Sequence, residues 1–356
     1  VGRYLEGMLQ GASELDVDCE WRLFFQGRSF DHPLFADPRY VPVFSGLGGS
    51  RVLWEQIQVP RIASRSGLDV SFSPAYSLPL ACGAPGVVTM HDLSIEVLPG
   101  EFAWRERWRR RLLARWACRR AARVLVDSVS VGQQVCQLYR VTADRIAVVP
   151  LAVDARFCPG GAETARKERR ALAEVGVRPP YLLYLGTIFA RRQIGLLLQV
   201  FSYLAEEHSE LQLVLAGANR LTEPARLGEV ISSLDLDSRV MHLGSVFEEL
   251  LLPLYRQAEL SVDLSTYEGF GIPPLESLAC GTAAVVSSGL ALDQIWPEYP
   301  LRCDRLEPGA VAETMARGLQ DSELRDQVVV QAEQRLAHLN WRRCAGLLVD
   351  ELGRVG

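Results

Sequence analysis

The chain has 356 residues, is 48% hydrophobic and 23% charged, and carries a net charge of −5, which excludes a disordered chain and argues against broad affinity for nucleic acid. No run of about 18 apolar residues occurs, so no membrane-spanning helix is expected. The eight cysteines form no CxxC pair and have no histidine at metal spacing; they read as reduced, mostly buried thiols of a cytoplasmic protein without a metal site.

The length suits two domains of about 150–180 residues. The opening GRYLEGMLQGASEL reads as a helix from about Arg3. A strand is expected within Asp18 to Gly27, in CEWRLFFQG, then a loop rich in Pro, Asp and Gly, a helix around Val52 to Ile62, and strands at Val70 to Ser73 and Val87 to Met90. Strands alternating with helices predict a parallel sheet covered on both faces. His91 and Asp92 directly follow the strand GVVTM. Ligands of open parallel sheets gather beyond the carboxyl ends of strands, so this position points to function. A histidine taken alone would read as a satisfied structural residue. Asp92 serves either to orient His91 or to cap the next segment.

Residues 101–123 carry nine arginines against two glutamates on what reads as one helix. Trp104, Trp108, Leu112 and Trp116 recur every four residues and form an apolar stripe. Two readings stay open: a stripe facing the core beneath a solvated basic face, and peripheral contact with an anionic membrane, which suits Trp and Arg on one helix. RVLVDS (Arg123 to Ser128) then reads as a strand, VGQQVCQLYRV as a helix, and RIAVVPLAVDARFCP as a strand leaving the domain. Gly160 to Pro180 mixes glycine, charge and proline and reads as the linker.

The second half restarts with PYLLYLGTIFARRQIGLLLQVFSYLAEE as strand, loop and helix; LQLVLAGA, RVMHLGSV and LSVDLST supply further strands. Near the end come a strand around Leu301 to Asp304, helices from about Pro308 and Asp321, and a last helix in NWRRCAGLLVDEL. Between LSVDL and LESLAC lies STYEGFGIPP, a glycine loop between a buried strand and a helix start. Gly269 and Gly271 let backbone N–H groups turn towards a ligand, and prolines in the first helical turn leave the remaining free N–H groups and the helix dipole to attract an anion. A phosphate fits. Glu268 and Glu276 flank the loop; as acceptors they suit the hydroxyls of a sugar or ribose diol.

This stretch resembles glycosyltransferase family 4, whose mark is two glutamates separated by seven residues around a glycine–aromatic–glycine: here Glu268, Gly269, Phe270, Gly271 and Glu276, followed by ACGTAAVVSS. The resemblance runs from Gly2 to about Leu352. It implies a GT-B fold of class α/β, two Rossmann-like domains with parallel sheets facing across a cleft. It also implies an acceptor-side domain at 1–160, a nucleotide-sugar donor domain at 161–338, and a helix at 339–356 crossing back towards the first. Family members precede the opening helix with a strand and a glycine loop that touches the donor diphosphate. Gly2 then matches the last glycine of that loop, and further residues are expected before Val1 in the native protein.

By the same likeness His91, in TMHDLS, faces the acceptor; Arg191 and Arg192, after Gly186 and Thr187, grip the diphosphate; Glu268 holds a donor-sugar hydroxyl and Glu276 the ribose. The N–H groups around Phe270, Gly271 and Ile272 help fix sugar and phosphates. Phe189, Arg192, Gln193 and Gln294 depart from the common pattern; Lys167 is the only lysine in the chain, and that bias explains an arginine at 192. The implied reaction is a retaining transfer of a hexosyl group, mannose-like, from a nucleotide-diphosphate sugar to a glycan or lipid-linked hydroxyl. A GDP-sugar is favoured, with UDP and dTDP open. No cofactor is expected, and no Asp-x-Asp pair suggests a metal bridge. The alternative is a non-catalytic GT-B relative that binds a partner. A nicotinamide dehydrogenase lacks its early GxGxxG. Localisation is expected to be cytoplasmic or peripheral at the inner membrane face, and the oligomeric state is left open.

Overall fold

The computed structural model describes residues 2–45, 49–79 and 81–356; Val1, Gly46 to Gly48 of the Pro/Asp/Gly-rich loop, and Leu80 lie outside the described residues. The chain forms two compact units, Val1–Ala152 with Leu339–Gly356, and Val153–His338.

In the first unit β1 (Trp21–Phe25) pairs in parallel with β2 (Tyr40–Phe44), and β3 (Ser71–Ser73), β4 (Gly86–Met90), β5 (Arg123–Val126) and β6 (Ile146–Val148) form a separate parallel sheet in that order. The continuous apolar runs of β4 and β5 are buried, as strands covered on both faces should be. β2 falls inside what reads from sequence as loop, because YVPVF contains Pro42; a residue without an N–H is tolerated at the margin of a two-stranded sheet. The helix expected at Val52 to Ile62 is interrupted: Arg51–Leu53 passes through a π-helical stretch, Trp54–Gln58, before Val59–Ala63, where Pro60 removes one backbone donor.

Of the apolar stripe of residues 101–123 only Trp116 reaches the core. Helix Trp104–Arg120 packs through Ala114, Ala117 and Cys118, small residues that bring it close to Val88, Val124 and Val126. Trp116 lies partly buried against that core, while Trp104, Trp108 and Leu112 stay 68%, 56% and 57% exposed. A four-residue repeat identifies one face of a helix; here small residues on another face fit the sheet more closely.

The last helix, Trp341–Gly353, belongs to the first unit and packs along helix Gly2–Ser13. Gly7 and Gly11 make this possible: a Cβ on Gly7 would overlap the Trp341 indole, and one on Gly11 the Trp341 backbone. An ion pair of 2.5 Å between Arg123 and Glu351 ties the same helix to β5.

The second unit is one parallel sheet of six strands: β7 (Tyr181–Leu185), β8 (Gln212–Ala216), β9 (Val240–Gly244), β10 (Leu260–Asp263), β11 (Ala284–Ser287) and β12 (Arg302–Cys303), in the order β12-β11-β10-β7-β8-β9. The order reverses between β7 and β10, the switch point where doubly wound sheets bind ligands. The segment 160–180, read from sequence as a linker, contains helix Ala162–Glu174. Its Leu172 joins Phe157, Val177 and Tyr181 in the core, and Glu168 accepts from Arg256 at 2.8 Å. Gly160, Gly161 and the prolines at 179 and 180 punctuate the ends of that helix, which gave the whole segment the look of a connection.

Candidate functional site

The two loops at the switch point bring Arg191, Arg192 and Glu268 together. After β7 the chain runs through Gly186 and Thr187 into a tight turn, Ala190–Arg192, and Gln193 takes a left-handed conformation to start helix Ile194–Glu207. After β10 it continues through Ser265 and Thr266 to Glu268, and the Thr266 N–H donates to the Arg191 carbonyl at 2.9 Å, fastening one loop to the other. Arg192 Nη1 donates to Asp263 Oδ2 at 3.2 Å and to Ser265 Oγ at 3.0 Å, and its Nη2 pairs with Glu268 Oε1 at 2.9 Å. Arg191 Nε reaches the same Glu268 oxygen at 3.3 Å, with its guanidinium 4.6 Å from the centroid of the Phe189 ring. Phe189, a departure from the family pattern, thus stacks on one of the two guanidinium groups. Burial pushes the Glu268 carboxyl above the ordinary glutamate range; Arg192 and Arg191 oppose that rise and Asp263 adds to it.

Gly271 caps helix Ile272–Ala279 at φ +83, a left-handed conformation that a side chain would strain, and the buried Phe270 carbonyl accepts from the Ala291 N–H at 3.1 Å. Glu276 on this helix is only 5% exposed, and its Oε2 accepts from the Tyr255 hydroxyl at 2.8 Å. Burial first, and then the Glu276 carboxylate beside it, push the Tyr255 phenol far above its usual range. The charge of Glu276 also reaches Arg156. Gly186, Thr187, Gly269 and Ile272 lie along the same two loops; the Thr187 carbonyl accepts from the Tyr184 hydroxyl at 3.1 Å.

Gly2 and His91 belong to the first unit, where Gly2 opens the first helix. β4 and β5 are in register at Met90 and Val126, so the next residues, His91 and Asp127, emerge side by side. His91 Nδ1 lies 2.8 Å from Asp127 Oδ2, and Nε2 lies 2.9 Å from the Pro74 carbonyl, which can only accept. Both ring nitrogens are therefore engaged within the unit. Asp127 is 1% exposed, and its burial raises the carboxyl above the ordinary range while His91 opposes the rise. The Tyr4 ring stands edge-on to the imidazole at 4.7 Å, and its hydroxyl shares a hydrogen bond of 3.0 Å with Thr89. Asp92 turns away: Oδ1 accepts from the Ser94 N–H at 2.8 Å and Oδ2 from the Tyr76 hydroxyl at 3.0 Å, so it caps the next segment.

Two family models tile the chain: glycosyl transferases group 1 over residues 166–335, and glycosyltransferase family 4 over residues 1–157. The chain belongs to the family 4, group 1 glycosyltransferases. It is 28% identical over 262 residues to O-antigen chain mannosyltransferase B of Escherichia coli, covering 72% of this chain and 67% of that protein. It is 25% identical over 244 residues to the serotype-specific mannosyltransferase WbdA of Escherichia coli, covering 66% of this chain but 29% of that longer protein. Sucrose-phosphate synthase from Thermosynechococcus elongatus superposes with a TM-score of 0.72 at 20% identity, over 98% of this chain and 92% of that one. The fold is GT-B.

Reading the sequence of this glycosyltransferase missed four residues that hold the candidate site residues in place: Asp263 and Ser265 beneath Arg192, Tyr255 against Glu276, and Asp127 behind His91. Two carried a signal. Asp263 and Asp127 are acids at the carboxyl ends of apolar strands, where burial would be costly without a partner. Tyr255, 21 residues before its partner, carried none. Among the described residues no group of His, Cys, Asp and Glu is placed to hold a metal ion, and no helix is long and apolar enough to cross a membrane.

Proposed function

We propose that this glycosyltransferase moves a hexosyl group, mannose-like, from a nucleotide-diphosphate sugar to a hydroxyl of a glycan or lipid-linked acceptor in polysaccharide or glycoconjugate synthesis. Transfer keeps the anomeric configuration and uses no metal ion. The observation that carries the reading is the pair Arg191 and Arg192 sharing the Glu268 carboxylate at the switch point, beside the N-terminus of helix Ile272–Ala279. The names of the two relatives support a mannose-like sugar; a GDP-linked donor rests on the sequence resemblance.

Breaking the bond between the anomeric carbon and a diphosphate oxygen leaves an anion, and fixed cations plus free N–H groups stabilise it most where water is scarce. In the free protein Glu268 occupies both guanidinium groups. An arriving diphosphate takes over that positive field, and the displaced carboxylate accepts a hydroxyl of the donor sugar. Glu276, oriented by Tyr255, takes the nucleotide ribose. The acceptor attacks from the face the diphosphate leaves, through an oxocarbenium-like state, and the departing phosphate oxygen draws its proton. His91 can donate to a sugar or acceptor hydroxyl only by exchanging the Pro74 carbonyl for it at Nε2.

The test is a thermal-shift panel of GDP-, UDP- and dTDP-sugars, with and without EDTA, on wild type and Glu276→Ala. A shift with one nucleotide class, unmoved by EDTA and lost in the variant, supports donor binding as assigned. Product analysis with the same donor then reads the anomeric configuration. No shift in a folded protein, or complete Mg²⁺-reversible loss of activity in EDTA, overturns the reading.

A further inference from the structure

Five of the chain's twelve phenylalanines fall between positions 24 and 44, in a stretch with no part in the chemistry described so far. β1 and β2 are in parallel register up to Phe25 and Phe44, so each strand ends on a phenylalanine, and the two rings stack at 5.5 Å. Phe30 and Phe35, from the connection between the strands, close on Phe25 at 5.2 and 6.0 Å. The His32 ring lies 6.0 Å from Phe30 and 6.1 Å from Phe35. These rings gather beyond the carboxyl ends of two parallel strands, where such sheets bind ligands, as His91 and Asp127 do beyond β4 and β5. Phe30 stays 52% exposed despite its ring neighbours. Against them opens a recess of about 400 Å³, lined in part by Asp31, His32 and Phe35. That volume lies within the roughly 300–1,000 Å³ of small-ligand sites.

The recess is held in shape. His32 Nδ1 accepts from the Leu34 N–H at 3.3 Å and so caps the turn Pro33–Ala36, while Nε2 lies 3.5 Å from the Glu6 carboxylate on helix Gly2–Ser13. At the other end of the turn Arg39 pairs with Asp37 at 2.7 Å and donates to the Ser13 and Leu15 carbonyls at 2.8 and 3.0 Å. The same helix sets Tyr4 against His91. One helix therefore steadies both the recess and the histidine, and a ligand arriving there meets a surface already ordered.

We propose that this recess binds a hexose ring of the acceptor glycan, with Phe30 and Phe35 against its C–H face and Asp31 accepting from its hydroxyls. Ring faces beside an exposed carboxylate match a molecule with one apolar face and a hydroxyl edge. Charge narrows the choice. Residues 26–38 carry one arginine against two aspartates, so the patch offers no field for a phosphate or an anionic surface and suits a neutral polyol. The proposal rests on the reading of this protein as a transferase with a glycan acceptor and sharpens it: the acceptor already carries sugar, whether or not a lipid holds it.

The experiment is saturation-transfer NMR with titration of α-linked mannotriose and maltotriose. The proteins are wild type, Phe30→Ala, Phe30→Trp, Asp31→Ala, and Glu276→Ala as a donor-site control. Wild type, Phe30→Trp and Glu276→Ala should bind a trisaccharide, with transfer strongest to the C–H protons of one sugar ring. Phe30→Ala should bind about three- to tenfold more weakly, the worth of one aromatic contact, and Asp31→Ala should be weakened similarly. Both should keep the wild-type thermal transition and its shift with nucleotide sugar. In transfer assays Phe30→Ala should raise the acceptor KM and leave kcat and the donor KM unchanged. Absence of binding by either trisaccharide overturns the proposal, as does undiminished binding by Phe30→Ala and Asp31→Ala. So does a wild-type dimer that ignores glycan and falls apart in Phe30→Ala, which would mean that a second copy covers the rings. Trisaccharide binding lost in Phe30→Ala, in a protein that no nucleotide sugar shifts, would sink the transfer reading alone and leave the recess as a glycan site.

Discussion

The two buried acid–base clusters are built on different principles. In the second unit, Glu268 and Asp263 face Arg191 and Arg192, whose guanidinium groups stay charged at any working pH. In the first unit Asp127 faces a histidine, a side chain that can lose its proton where arginine cannot, while burial raises the carboxyls of Asp127 and Glu268 alike. One cluster is built on cations of fixed charge, the field that the proposed reaction would use. The other is a hydrogen-bonded pair of two groups that can each take up or lose a proton. Functional groups of one protein can therefore be sorted by what moves them: ligands for the first kind, protons for the second.

The largest effect that would break this distinction is on Arg192→Ala. Removing it takes away the cation shared by Asp263, Ser265 and Glu268, and kcat/KM should fall about 10²- to 10³-fold, as when one preorganised donor is lost. A smaller loss in steady-state assays would mean that Arg191 alone carries the field. Next, Glu268→Gln should lower kcat about 10- to 100-fold, the worth of a hydrogen bond to a charged group, with donor KM little changed. A KM effect without a kcat effect would exchange its role with that of Glu276.

Asp127→Asn tests the proton-dependent side. The folded-state carboxyl titrates above its unfolded value, so the folded chain holds more protons in the window just above the ordinary aspartate range, and stability falls as pH rises through it. The Asn variant lacks this slope. The Tm of wild type relative to variant should thus decline from about pH 4 upward, and a gap that widens with pH would contradict the sign. The smallest effect is expected for Phe189→Leu. Losing the ring beneath Arg191 should weaken donor binding about two- to fivefold in titration calorimetry, with kcat unchanged.

The Glu268-to-Glu276 stretch was legible in sequence because strand, glycine loop and helix are consecutive, so local signals suffice. The parallel sheets followed from short apolar runs alternating with helices. What the sequence hid depends on partners far along the chain. His91 finds Asp127 through the register of β4 and β5, and Arg192 finds Asp263 across the switch point. The orientation of helix Trp104–Arg120 was hidden for another reason: periodicity shows that a face is apolar, but only the fit of Ala114 and Ala117 against the sheet decides which face turns inward.

The pairing of the first and last helices has a consequence for how the protein is made. Residues 153–338 interrupt a unit that is completed only by Leu339–Gly356. During synthesis the second unit can close its sheet as soon as its own strands have emerged, whereas the earlier-made first unit must wait for Trp341 to reach Gly7 and Gly11. Ribosome-bound chains stalled before residue 339 should present a protease-resistant second unit joined to an unfinished first one. The half of the enzyme made first is the half that finishes last.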